Sequence, residues 1–338
     1  MRRVICFVAL ALAATVVAAG PAAACGGLVG ENGTIQLTRT TTLAAYHDGV
    51  ERYVTSFEFS GTGESVGSIV PLPGIPTKVE RGGDWTLQRL QREIAPPALQ
   101  RLSVAAATSA AGDAEVLQQV QVDALDITVL RGGGDEVGKW AIDHGFLLTP
   151  DAPAILDFYS HRSKIFMAAR FDAARAASLG QQSGDGTPIM LTIPTDEPWV
   201  PLRILALGLD RSRFVNADVF LLTDQRPNVL VADTGVEAAR SEPASASLLD
   251  DLRSDTHMGW VPESMWFTYY NVAAPAGELR HDLAVSTHAD TLPSARMAGF
   301  SVPSSSGTTD NWWLPVLLVA APLLLVGGGT RLVRRRDS

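Results

Sequence analysis

The 338-residue sequence predicts an α+β fold, a mostly antiparallel β-sheet domain with several short helices, followed by one C-terminal transmembrane helix. Three observations carry this expectation. Segments rich in β-branched and aromatic residues and bounded by turn residues outnumber helical ones. They do not alternate regularly with helices, as a parallel sheet would require. The stretch 312–330 carries no charge and is close to the length that spans a bilayer.

At the N-terminus, residues 1–24 read as a signal peptide. Arg2 and Arg3 precede an apolar run from Val4 to about Ala19, and Ala22-Ala23-Ala24 offers a small-residue cleavage site. Residues 25–301 then read as an exterior domain, either one large unit or two closely packed subdomains. From Thr34 to Val79 the pattern is β-like, with Asp48-Gly49 as a hairpin turn. SVGSIVPLPGIP follows as a strand, and Pro71, Pro73 and Pro76 exclude helix there. The spacing of Trp85, Leu87, Leu90 and Ile94 predicts a helix over 84–94, capped by Asp84 and ended by Pro96 and Pro97. Residues 116–130 alternate as a strand. Residues 135–144 form a helix stopped at Gly145, and 151–161 another with Asp151 as cap and Pro153 in its first turn.

Five further segments read as strands: KIFMAARFD, PIMLTIPTD, VPLRILALGL, ADVFLLTD and PNVLVAD. A short helix over 245–253 and two last strands, MWFTYYNVAA and LRHDLAVSTHAD, close the domain. Residues 302–311 are a polar linker. The span 312–330 begins with Trp312 and Trp313, aromatic anchors at the headgroup level, and contains Pro315 and Pro322, which spanning helices tolerate. Arg331, Arg334, Arg335 and Arg336 lie in the basic tail 331–338 and place it in the cytoplasm. The expected location is therefore the cell membrane, with a single pass and the N-terminal domain outside, and the lipid bilayer is the first expected partner.

The formal charge of the chain is −9. Setting aside the six arginines at the two ends and Asp337 leaves 21 bases against 35 acids, a net −14 for the exterior part. Such a surface repels phosphate backbones and argues against nucleic acid as a partner. The only cysteines are Cys6, within the signal peptide, and Cys25, at its cleavage point. The exterior domain must therefore fold without an internal disulfide. Cys25 itself admits two readings, lipidation as the first mature residue or a free exterior thiol. Ala22 stands where lipoprotein processing usually has Leu.

Four stretches resemble a known family: Cys25-Gly26-Gly27, Ile69-Val70-Pro71-Leu72-Pro73, the run WAIDHGF from Trp140 to Phe146, and PTDEPWVPLR from Pro194 to Arg203. Together they resemble the bacterial family called domain of unknown function 2330, over most of 25–223. His144 and Phe146 stand where that family more often has Asn and Tyr. The resemblance implies a shared fold and a secreted or membrane-anchored location. It transfers no functional residue.

Several motifs invite chemistry and fall short of it. GGGDEVGKW, from Gly132 to Trp140, holds G-x-x-x-x-G-K, but Trp140 replaces the hydroxyl residue that a phosphate-binding loop needs. Asp135 and Glu136 would repel phosphate, so no nucleotide is expected. Gly63-Glu64-Ser65-Val66-Gly67 matches G-x-S-x-G, yet a proline-rich strand follows where a nucleophile elbow needs a helix. The histidines show no H-x-x-x-H spacing, so zinc is unsupported. Asp250, Asp251 and Asp255 near His257 lack calcium-loop spacing and read as a solvated helix face. Trp199, between Pro198 and Pro201 and beside Asp196 and Glu197, has two readings: an exposed aromatic platform or a tryptophan packed inward. No catalytic, cofactor-binding or metal-binding residue is assigned, and no cofactor.

The expected function is a non-enzymatic interaction or envelope-structure module on the cell surface, in contact with another envelope protein. One alternative is an extracytoplasmic hydrolase whose acids and His144 or His161 converge only in the fold. The other is a subunit of a membrane complex docked through its span.

Overall fold

A computed structural model describes residues 27–30, 40–56, 65–95, 114–180, 187–288 and 290–300. The predicted signal peptide, linker, span and tail lie outside these residues, as do Cys25, Trp312, Trp313, Arg334, Arg335 and Arg336. Among the described residues, no helix is long and apolar enough to cross a membrane.

Two large sheets pack face to face, and helices cover their outer faces. The first sheet has five strands in the order β1 (Gly27–Gly30), β4 (Ser65–Leu72), β8 (Ile165–Asp172), β7 (Leu125–Arg131) and β6 (Glu115–Val122), all antiparallel. The second has seven: β13 (Val236–Pro243), β14 (Trp266–Pro275), β11 (Phe214–Thr223), β2 (Thr40–His47), β3 (Val50–Ser56), β9 (Pro188–Pro194) and β5 (Lys78–Arg81). Within it only the pairing of β2 with β11 is parallel. A small third sheet joins β10 (Trp199–Val200), β15 (Leu283–Ser286) and β12 (Asn228–Leu230). The architecture is therefore the mostly antiparallel α+β fold that the strand-rich, non-alternating pattern predicts.

Side-chain alternation explains the layering. On the seven-stranded sheet, Ala44, Tyr53, Leu191 and Val219 face inward and meet Val70, Ile127, Val129 and Met167 of the five-stranded sheet. The intervening residues Leu43, Ala45, Val54, Met190 and Phe220 face outward, under α1 (Thr86–Ile94) and α5 (Ala246–Ser254). On the other side, Ile69, Leu130 and Phe166 lie beneath α2 (Gly134–Asp143) and α3 (Ala152–Ser160). Central strands covered on both faces must be apolar on both faces, and β2 is buried along nearly its whole length.

Local chemistry sets the turns. Asp48 and Gly49 take φ of 51° and 74°, the left-handed pair that a tight two-residue hairpin requires. The expected single strand over 116–130 is instead the hairpin β6–β7, which turns at Asp123 with φ 51°. The Asp at that turn was the available signal.

The segment VPLRILALGL, expected as a strand, is a two-residue strand followed by a 3-10 turn over Arg203–Ala206. Three consecutive backbone donors go to side chains rather than to a ladder. Leu202 N and Arg203 N donate to Asp282 Oδ1 at 2.7 and 2.9 Å, and Ile204 N donates to the Tyr159 hydroxyl at 2.9 Å. Several elements were not expected, among them a short helix and an edge strand. The short helix α4 (Ala173–Ser178) is capped by Asp172, whose side chain accepts from Arg175 N. The edge strand β13 was hidden by its polar sequence, because most of its side chains face solvent.

Asp84 does not cap α1. Instead Asp255, from across the chain, holds the residues that lead into the helix, accepting from Asp84 N at 3.0 Å, Trp85 N at 3.1 Å and the Thr86 hydroxyl at 2.7 Å. Asp151 also makes no side-chain cap on its own helix; its carboxylate accepts from Gly208 N at 3.0 Å.

The helix-sheet layer that contains α3 is locked by a buried ion pair. Arg162 Nη2 lies 2.5 Å from Asp282 Oδ2, and both side chains are almost fully buried. Asp282→Ala strands a buried guanidinium, and the expected loss of stability is about 3–5 kcal/mol. Asp224→Ala, at a half-exposed position, should cost less than about 1 kcal/mol. Chemical denaturation of the two variants compares them, and equal losses would refute the locking role.

Candidate functional site

Trp199 is fully buried, which corrects the reading of it as an exposed platform. Its strand pairs with β15, and its ring stacks on Tyr159 with centroids 5.7 Å apart and lies beneath the Arg162 guanidinium at 4.8 Å. The neighbouring prolines hold this short crossover, and the indole goes into the core.

The motif stretches resolve into packing devices. In GGGDEVGKW, Glu136 reaches back to accept from Gly133 N at 2.7 Å, so the loop donates to its own side chain. A Cβ on Gly134 would lie 2.6 Å from Asp157 N, so this glycine lets α2 approach the α3 backbone. Lys139 pairs with Asp143, and Trp140 is buried. In the G-x-S-x-G stretch, Ser65 to Gly67 belong to strand β4 rather than to an elbow. Gly67 leaves room for the Phe146 ring, whose edge would lie 2.2 Å from a Cβ there.

The acids near His257 are partnered. Asp250 pairs with Arg253 and Asp251 with Arg89, while His257 Nδ1 donates to Arg81 O at 2.8 Å. Asp255 is buried beneath α1, which corrects its place on a solvated face. At the β2–β3 turn, the His47 ring sits between two carboxylates, 2.6 Å from Asp224 and 3.3 Å from Asp48. Sequence spacing could not join Asp224 to this pair. His161 is exposed beside Asp157.

Two buried acids stand out from this pattern. Glu51, on β3, is completely buried between the two large sheets, and neither carboxylate oxygen has a hydrogen-bond partner. Burial raises its pKa to about 8, so it is mostly protonated at neutral pH. Asp126, on β7, is buried with both oxygens unpartnered by hydrogen bonds; its nearest cation is Arg175 at 3.7 Å. Burial raises its pKa to about 6 against the opposing pull of Arg175. Asp126, His144, Trp140, Phe146 and Arg170 line one small cavity of about 10 Å³. There the His144 ring stacks on Trp140 at 4.2 Å, and its Nδ1 donates to Trp140 O. This is where an acid and a predicted histidine do come together.

A larger concavity is an open groove of about 380 Å³ beside the N-terminal end of α3. Its floor is aliphatic, with Ile155, Ala206, Leu209 and Leu279. Its cations are Arg203, Arg211 and Arg280. Arg203 follows from the Asp282 network: its backbone N is bonded to that carboxylate, and its guanidinium lies 4.0 Å over Phe158. Among the described residues, no carboxylate lies within ion-pair distance of Arg203 or Arg211. Arg280 has Glu278 at 3.6 Å. The one acid at the rim, Asp151, is bonded to Gly208 N. These arginines come from separate segments of the chain, and only Arg203 lies in one of the four stretches that carry the family resemblance, so nothing in the sequence joins them.

The model of DUF2330, described as an uncharacterized protein conserved in bacteria, matches residues 19–246. The chain belongs to the DUF2330 family. Comparison with curated proteins gives no match. Among solved structures, baculovirus p35 is similar at a TM-score of 0.35 and 11% identity, covering 73% of this chain and 91% of that one. A mutated baculovirus p35 after caspase cleavage is similar at a TM-score of 0.33 and 9% identity, covering 73% and 93%. Neither likeness carries an argument about this DUF2330 chain.

Glu51 generates a pH prediction. The unfolded chain releases this proton near the ordinary glutamate value of 4.5, whereas the folded chain holds it to about 8. Stability contributed by the protonated form is therefore lost as pH rises through that window and levels off above it. At pH 7 the cost is about 3 kcal/mol. Glu51→Gln should flatten the decline and raise stability near neutrality, as measured by urea unfolding across the window. Parallel profiles for the two proteins would contradict this.

Proposed function

We propose that this DUF2330 protein is a non-enzymatic cell-surface module that acts by binding, held at the membrane by a C-terminal span with its basic tail inside. The observation that carries the binding reading is the groove of Arg203, Arg211 and Arg280. It is an open concavity that offers cations and aliphatic surface, and its single carboxylate is already bonded. Such a lining suits recognition of a partner more than proton transfer or nucleophilic attack, which need an acid or base free to move a proton. The membrane reading is supported by the uncharged stretch 312–330 with Trp312 and Trp313 before it and Arg334, Arg335 and Arg336 after it. The exported location is supported by the N-terminal signal pattern.

A hydrolase is the second reading, favoured by the cavity that Asp126 shares with His144. An acid whose pKa is raised to about 6 beside a histidine is a plausible proton-transfer pair. Its confinement weighs against a substrate of any size, because catalytic clefts must admit the reacting group.

The binding reading predicts that a photo-reactive residue in place of Leu209, in the full chain in intact membranes, yields one constant crosslinked product. Arg203→Ala with Arg211→Ala should diminish that product by about tenfold. Absence of any adduct, together with a hydrolytic activity lost in Asp126→Asn, would favour the second reading. The topology is checked separately: a reporter fused after Ser338 should work only if it is one that functions in the cytoplasm.

A further inference from the structure

We propose that the groove's occupant is an acidic peptide segment of a partner protein, with carboxylates on Arg203 and Arg211 and aliphatic side chains on the floor. This rests on the binding reading above. The first argument is charge. The exterior part carries a net −14 by sequence, yet the groove gathers three arginines around one occupied carboxylate. Arg280 has Glu278 beside it, but Arg203 and Arg211, without an acid among the described residues of so acidic a chain, are complementary to an incoming anion.

The second argument is geometry. The Arg203 guanidinium is fixed by its contact with the Phe158 ring at 4.0 Å. Stacking of this kind covers one face and leaves the N–H edge free for paired hydrogen bonds to a carboxylate. Arg203, Arg211 and Arg280 come from the 3-10 turn, the loop before β11 and the segment before β15. They present separate points of attachment rather than one enclosed cradle.

The third argument is shape. A free small anion is normally bound in a site that surrounds most of its surface. This groove is open, and part of its lining is aliphatic: Leu209 and Ala206 are only half-buried. An extended chain that alternates acidic and aliphatic side chains meets both kinds of surface at once.

The test uses the full chain in neutral detergent micelles and a fluorescent peptide, Glu-Leu-Glu-Glu-Leu-Glu, read by anisotropy. A peptide with Lys for every Glu is the control. The acidic peptide should bind and the basic one should not, and binding should weaken as salt is raised toward about 1 M, where screening acts within about 3 Å. Arg203→Gln with Arg211→Glu should lower affinity by about tenfold or more. Arg211→Glu alone, at an exposed position, should also weaken binding while leaving the melting temperature unchanged, which separates lost binding from lost folding. Equal binding by the variants, equal binding of the basic peptide, or no binding at all overturns the proposal. The Leu209 crosslink distinguishes the two levels. An adduct without peptide binding removes the acidic peptide and keeps the groove as a binding face, whereas neither result removes both.

Discussion

The buried carboxylate of Asp282 is the interaction on which the surrounding structure depends. Its Oδ1 accepts from the Tyr159 hydroxyl, Leu202 N and Arg203 N, and its Oδ2 accepts from Arg162. Arg162 in turn donates to Met297 O, and Asp282 N donates to Ala298 O. One side chain thus joins α3, the 3-10 turn, the segment before β15 and residues near 298. A buried ion pair gains little by itself, because removing both charges from water offsets their attraction. Here several hydrogen bonds converge on the same two groups, and backbone donors that leave a ladder early find their acceptor there. The aromatic rings of Phe158, Tyr159 and Trp199 pack against the Arg162 guanidinium and complete its enclosure. Because Arg203 hangs from this network, the lock in the core also sets one wall of the surface groove.

The same device recurs where other segments leave regular structure. Asp255 gathers the start of α1, and Asp233 accepts from Arg280 N, His281 N and the His281 ring. In each case a carboxylate from one segment satisfies backbone N–H groups of another that is distant in sequence. Two sheets with covered outer faces leave little solvent to do this, so the carboxylates serve as crosslinks without disulfides. That suits a domain whose described residues contain no cysteine. Glu51 is the exception: it is equally buried but bonded to nothing. Its position is held by the apolar strands on either side, and the stabilising partner is its own proton.

What could be read from the sequence divides along this line. Local signals were legible: Asp48-Gly49 for the hairpin, the helical spacing of Leu87 and Leu90, Gly145 after α2, and the apolar runs between turn residues in β8, β9 and β11. Binary pattern and turn chemistry act within a few residues, and a single sequence displays them. Tertiary partners were not legible. Nothing near Asp84 reveals that Asp255 holds the entry to α1, and nothing in HDLAV reveals that Asp282 draws Leu202 and Arg203, and Tyr159 draws Ile204, out of a strand. Trp199 illustrates the same limit. A tryptophan between prolines reads equally well as a platform or as core, and only its contact with Tyr159 and Arg162 decides.

The candidate sites follow the same logic in reverse. Residues that attract attention by motif, such as Lys139, Ser65 and Asp250, turn out to be occupied in ion pairs or strands. Arg203 and Arg211 attract none and have no carboxylate beside them among the described residues. Leaving these two in one groove while acids such as Asp151 are spent on backbone N–H groups preserves a local positive field against the charge of the whole. The opposing field of the remaining surface would repel most anions at a distance. Only a ligand able to fill the groove, placing its charge close to Arg203 and Arg211 and its apolar parts on Leu209, gains enough at contact to overcome that repulsion. Selectivity in this arrangement comes from the acidic background as much as from the arginines.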